Sequence, residues 1–157
     1  MALLTAVALI LFTVEAQIPP PVPIPGVKLG LANIITVYAM FALGAADALG
    51  ILLARVLLGS MFSGAMMTLF YSLSGGLLCW LLMLSLRRVL TKQQIWVCGV
   101  LGAVAHNVGQ TLAAIAVFQT LAVAAYFPLL VLSGIIAGLF TGLCAQFVVH
   151  HAHLMDL

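Results

Sequence analysis

The segment GAVAHNVGQTLA, residues 102–113, places His106, Asn107, Gln110 and Thr111 inside an otherwise apolar run. On a helix turning ~100° per residue they fall within an arc of about 140°, so they form one polar stripe. Imidazole, carboxamide and hydroxyl groups give directional hydrogen bonds without a fixed charge, which suits holding a small solute or tying one helix to another. Gly99 and Ala103 lie on the same side one and two turns earlier, leaving room beside the stripe for a ligand or for a second helix. His106, Asn107 and Gln110 are therefore candidates for substrate contact, with interhelical bonding as the alternative role.

Charged groups are scarce enough that each needs a reason. Arg55 and Glu15 stand within apolar segments at matching expected depth, and pairing them would reduce each other's desolvation cost. The sharper expectation is that Arg55 and Lys28 together attract an anionic group, since guanidinium and ammonium donors suit phosphate or carboxylate. Asn33 and Thr36, one helical turn apart, would share a face beside them. Tyr71, Ser72 and Ser74 adjoin Gly75-Gly76, where a backbone can bend or be approached closely. Asp47 is expected to sit at a helix N-terminus, where negative charge is favoured.

These side chains must be carried by elements suited to a lipid solvent. The chain has 157 residues, of which 66% are hydrophobic and 5% charged, against about 25% charged in an ordinary soluble domain. Such a composition predicts an all-α integral membrane bundle, a single domain over residues 1–157. Six membrane helices are expected near 1–16, 29–44, 46–62, 64–86, 95–119 and 126–149, the first three short for a full span. Val14-Glu15-Ala16 has the form of a signal-peptide cleavage site, but no positive n-region precedes it, so a membrane helix is the preferred reading, with a start late relative to relatives. Nucleic acid is excluded as a partner by the net charge of +2 and the lack of basic runs interleaved with aromatics.

The basic cluster Arg87, Arg88 and Lys92 predicts a cytoplasmic loop between the fourth and fifth helices, hence both termini cytoplasmic. That places the first connection outside. Pro19, Pro20, Pro21, Pro23 and Pro25 favour a stiff, extended strap there, and Gly26 permits the turn that brings Lys28 beside Asn33. A stiff strap over polar helix ends is expected to act as a lid. His150, His151 and His153 fall in the expected cytoplasmic tail as solvated polarity rather than a metal site, and Cys79, Cys98 and Cys144 lack metal-ligand spacing; neither metal nor cofactor is expected. Gly134, Gly138 and Gly142 present a smooth face for close helix packing, and Ala2 and Ala6 repeat small-xxx-small spacing on the first helix, suited to a second protein or to packing within the chain.

The runs IPGVKLGLANI, ARVLLGSMFSG, LFYSLSGGLL, GAVAHNVGQ and PLLVLSGIIAGLFTGL together resemble the Gx transporter family, also labelled heptaprenyl diphosphate synthase component I. That family is similar to the S components of energy-coupling factor (ECF) transporters in bacterial cell membranes. The resemblance implies six helices, a substrate site near the outer face under the first loop, and a non-enzymatic uptake role. It also implies a transmembrane coupling subunit, met through an alanine-spaced face such as Ala2 and Ala6, and two cytoplasmic ATPases. No P-loop occurs in this chain, so ATP hydrolysis falls to partners. The expected solute is small, with an anionic end or an isoprenoid or aromatic body, contacted by Lys28, Asn33, Arg55, His106, Asn107 and Gln110. The alternative is a non-catalytic membrane component of heptaprenyl or polyprenyl diphosphate synthesis. Catalysis by this chain is not expected, because Glu15, Asp47 and Asp156 are too scattered to hold magnesium against diphosphate.

Overall fold

The computed structural model of the protein describes residues 1–17, 31–63 and 66–155. The proline strap and Lys28 lie outside the described residues. Six α-helices account for nearly all the rest: α1 (Ala2–Gln17), α2 (Asn33–Ala42), α3 (Ala45–Ser63), α4 (Met66–Leu86), α5 (Ile95–Phe118) and α6 (Phe127–Met155), with short 3-10 segments at Lys92–Gln94 and Leu121–Tyr126. Helices α3 to α6 are long and apolar enough to cross a membrane, and α1 and α2 are shorter apolar helices. The protein is thus an all-α membrane bundle.

Two elements differ from the sequence expectation. Helix α2 begins at Asn33 rather than near residue 29 and has 10 residues, so at 1.5 Å per residue it reaches about 15 Å, half the apolar thickness of a bilayer. Helix α6 runs on to Met155, so the histidines expected in a tail continue the helix. Nothing after Gly142 breaks its helical course, and the Phe147 ring stacks on that of His151 with centroids 5.7 Å apart.

Helices α2, α3, α4, α5 and α6 close a ring of neighbours, and α1 packs on its outside, chiefly against α3. The α2–α3 turn is made by Gly44 at φ +127°, a conformation that needs glycine, and the Leu43 and Gly44 N–H groups both donate to the Ala39 carbonyl at 2.9 Å. Gly44 faces the Arg87 guanidinium, so this turn and the basic loop share one end of the bundle. Met1 reaches Gly50 in the first turns of α3, and Gln146 near the end of α6 accepts from the Trp96 N–H at 3.2 Å. Both described chain ends therefore lie at the Arg87 end as well. The Gln146 bond satisfies one of the exposed donors at the start of α5.

The core occupies this same half. Met40, Ile51, Met83, Ile95, Cys98 and Ala145 from five helices are fully buried, packed around the inserted α2. Cys79 and Cys98 are free thiols within it, packing as small apolar side chains as the sequence suggested.

Backbone contact between α5 and α6 is close because glycines face each other. A Cβ on Gly99 would stand 2.5 Å from the Gly142 Cα, and one on Gly138 would stand 2.7 Å from the Gly99 carbonyl oxygen. The space that Gly99 and Ala103 leave beside the polar stripe is thus filled by a helix. Backbone cannot step aside as a flexible side chain can. Gly99→Ala should therefore lower the unfolding free energy in detergent by about 1–3 kcal/mol, whereas Gly50→Ala, facing only the mobile end of Met1, should change it little. Chemical unfolding in mixed micelles followed by circular dichroism separates the two.

Candidate functional site

Helix pairing gives a depth scale. Leu52 on α3 packs against Gly76 on α4, and Gly75 packs against His106 and Gly109 on α5, so Arg55, the start of α2 and His106 lie near mid-depth. Tyr71 on α4 and the last turns of α5 lie beyond that level, toward the end opposite Arg87 and Arg88.

At mid-depth the first turn of α2 meets α3. Arg55 Nη2 donates to Asn33 Oδ1 at 3.4 Å, bringing together two of the side chains proposed from sequence. Arg55 is 7% exposed and Glu15, from α1, 6% exposed. The carboxylate lies near enough to attract the guanidinium electrostatically, as expected of opposite charges in an apolar interior. The Thr36 hydroxyl and Arg55 Nε are buried without a hydrogen-bond partner among the described residues. Lys28, the other expected cation, lies outside the described residues.

The α5 stripe is divided between two neighbours. His106 and Gln110 pack toward α4, where a Cβ on Gly75 would meet the His106 carbonyl at 2.7 Å and the Gln110 Cγ at 2.8 Å. The Ser74 hydroxyl donates across the same seam to the Gly109 carbonyl at 3.1 Å. Asn107 faces α6: its Nδ2 donates to the Leu130 carbonyl at 2.6 Å and lies against Gly134. Thr111 donates back to the Asn107 carbonyl at 2.8 Å. Asn107 thus serves as an α5–α6 tie, while Gln110 borders open space.

That space is a cavity of about 370 Å³ between α4, α5, the Leu121–Tyr126 segment and α6. Tyr71, Gln110 and Thr111 supply most of its polarity, and Ala114, Phe118 and Tyr126 are among its apolar and aromatic walls. The Tyr71 hydroxyl is buried and has no hydrogen-bond partner among the described residues. The cavity floor and roof depend on the break between α5 and α6. Gln119 ends α5 in the left-handed region at φ 52°, its amide donating to the Ala116 carbonyl at 2.6 Å, and the Thr120 hydroxyl accepts from the Ala122 N–H at 3.3 Å. Sequence reading singled out Gln110 and noted Tyr71 and Thr111, but it missed Phe118 and Tyr126, which carry no periodic signal. Ala2 and Ala6 are both exposed on α1.

Removing one member of the Arg55–Glu15 pair leaves an uncompensated buried charge. Arg55→Met is expected to cost about 3 kcal/mol, and Glu15→Gln with Arg55→Met clearly less than the sum of the single changes. A double-mutant cycle of unfolding in mixed micelles measures the coupling.

Comparison with known proteins agrees with this membrane architecture. No curated protein and no solved structure matches the chain. The family model described as heptaprenyl diphosphate synthase component I matches residues 4–148, nearly the whole length, and the chain belongs to that family.

Proposed function

We propose that the chain is a substrate-binding membrane subunit of the S-component type, taking up a small solute across a bacterial cell membrane. The observation that carries this reading is the cavity of about 370 Å³ at the end of the bundle away from Arg87 and Arg88, with a few polar groups in apolar walls. With the basic loop cytoplasmic, that end faces outward, where an uptake protein first meets its solute, and both described chain ends face the cytoplasm. Residues 18–30, which carry the prolines and link α1 to α2 in sequence, lie outside the described residues. Ala2 and Ala6, exposed on α1, offer a small-residue face to a transmembrane coupling subunit. Two cytoplasmic ATPases would drive the cycle, since the chain carries no P-loop.

A non-enzymatic role is supported by the disposition of the carboxylates. Glu15 lies buried near Arg55, Asp47 sits in the first turn of α3 at the Arg87 end, and Asp156 lies outside the described residues. Magnesium-dependent diphosphate chemistry needs carboxylates gathered at one place. The family description favours a second reading, a non-catalytic membrane component of heptaprenyl diphosphate synthesis.

Purification of the tagged chain from its native membrane in mild detergent tests the two readings. Recovery of a coupling subunit with two ATPases is expected, and Ala6→Trp should release them without changing the melting temperature of the chain itself. Recovery of a soluble prenyl synthase and no ATPase would establish the second reading instead.

A further inference from the structure

We infer that the cavity between α4, α5 and α6 takes an uncharged, ring-bearing solute held through the Tyr71 hydroxyl and the Gln110 amide; this rests on the substrate-binding reading above. Among the described residues that line it there is no Asp, Glu, Lys, Arg or His. Of the two cations expected from the sequence to attract an anionic solute, Lys28 lies outside the described residues, and Arg55 is not a lining residue, being turned to Asn33 and attracted by Glu15. An anion entering apolar walls without a counter-charge would lose its hydration and gain only neutral donors. A neutral solute loses far less.

The polar groups that remain define what such a solute must offer. The Thr111 hydroxyl spends its proton on the Asn107 carbonyl, so only its lone pairs stay open. The Tyr71 hydroxyl, buried and without a partner among the described residues, can donate and accept, and the Gln110 amide can do both. One neutral group with both a donor and an acceptor, such as an amide or a phenol, satisfies this set. The Tyr71, Phe118 and Tyr126 rings supply flat faces for an aromatic body. A volume of about 370 Å³ is near the lower end of the ~300–1,000 Å³ range of small-molecule sites. One ring or two fused rings fit; a long polyprenyl chain cannot be enclosed.

The test uses the purified full chain in detergent with shape-matched probes that differ in charge at neutral pH: indole-3-carboxamide against indole-3-carboxylate, and 2-naphthamide against 2-naphthoate. Calorimetry and melting temperature are read for the native chain, Tyr71→Phe and Ala114→Phe. A neutral member should bind at least about tenfold more tightly than its anionic twin. Tyr71→Phe should weaken that binding about fivefold with the ligand-free melting temperature unchanged, and Ala114→Phe, which fills the cavity, should abolish it. Preference for the carboxylates, or affinity unaltered by both variants, overturns the inference while leaving a substrate-binding role standing. Failure of every probe to bind at millimolar concentration overturns the inference and removes the cavity as support for that role; the partner recovered from native membranes then decides the role independently.

Discussion

A ten-residue helix cannot cross a bilayer, and the placement of α2 between α3 and α6, as the short member of the ring, organises the rest of the bundle. It fills the half of the ring that ends at Gly44 and the basic loop, and there Met40 and its neighbours complete a fully buried core. The cavity lies in the other half, bordered by α4, α5, the Leu121–Tyr126 segment and α6. A helix that begins at membrane depth also leaves its first N–H groups there, a situation the apolar phase tolerates only beside polar partners. Asn33, Thr36, Arg55 and Glu15 gather at that level.

Helix α5 transmits this arrangement to the two helices it packs on. Glycines on both sides bring α4 and α6 to backbone distance, through Gly75 and Gly109 on one face and Gly99, Gly138 and Gly142 on the other. Close approach without bulky side chains is how helices gain van der Waals contact where lipid is as apolar as they are. Side-chain bonds from Ser74 to Gly109 and from Asn107 to Leu130 then fix the register. Beyond Gln110 the three helices no longer touch as closely, and residues such as Ala114 and Phe118 border open volume.

Much of this was legible in the sequence because the bilayer imposes a coarse grammar. The apolar runs identify the membrane bundle, and the glycine spacing of α6 marks a face for close packing without saying that α5 is the helix that meets it. The start of α2 falls several residues later than expected because Leu29, Gly30, Leu31 and Ala32 carry no polar signal, and hydropathy cannot say where an apolar segment becomes helical. The polar stripe was read as one unit, yet neighbouring positions on a helix point ~100° apart, so Asn107 and Gln110 meet different neighbours. Sequence supplies that angle but not which helix stands at each end of it. Phe118 and Tyr126 were invisible as site residues, since an aromatic at the end of an apolar helix looks the same whether it faces lipid or a cavity.

Charge placement separates structural from solute-facing polarity. An isolated guanidinium at mid-depth is costly, and evolution can meet that cost in two ways, by a permanent partner or by a ligand that arrives with the opposite charge. In the second arrangement the empty protein must hold the charge uncompensated or screen it with water. Here the carboxylate of Glu15, buried on the first helix, attracts the guanidinium, and Asn33 adds an oxygen from the second. An anionic solute at Arg55 would have to compete with a tethered carboxylate whose effective concentration is high and whose own release would leave a second buried charge. The economical use of Arg55 is to tie α2 to α3 through Asn33 beside a buried carboxylate from α1.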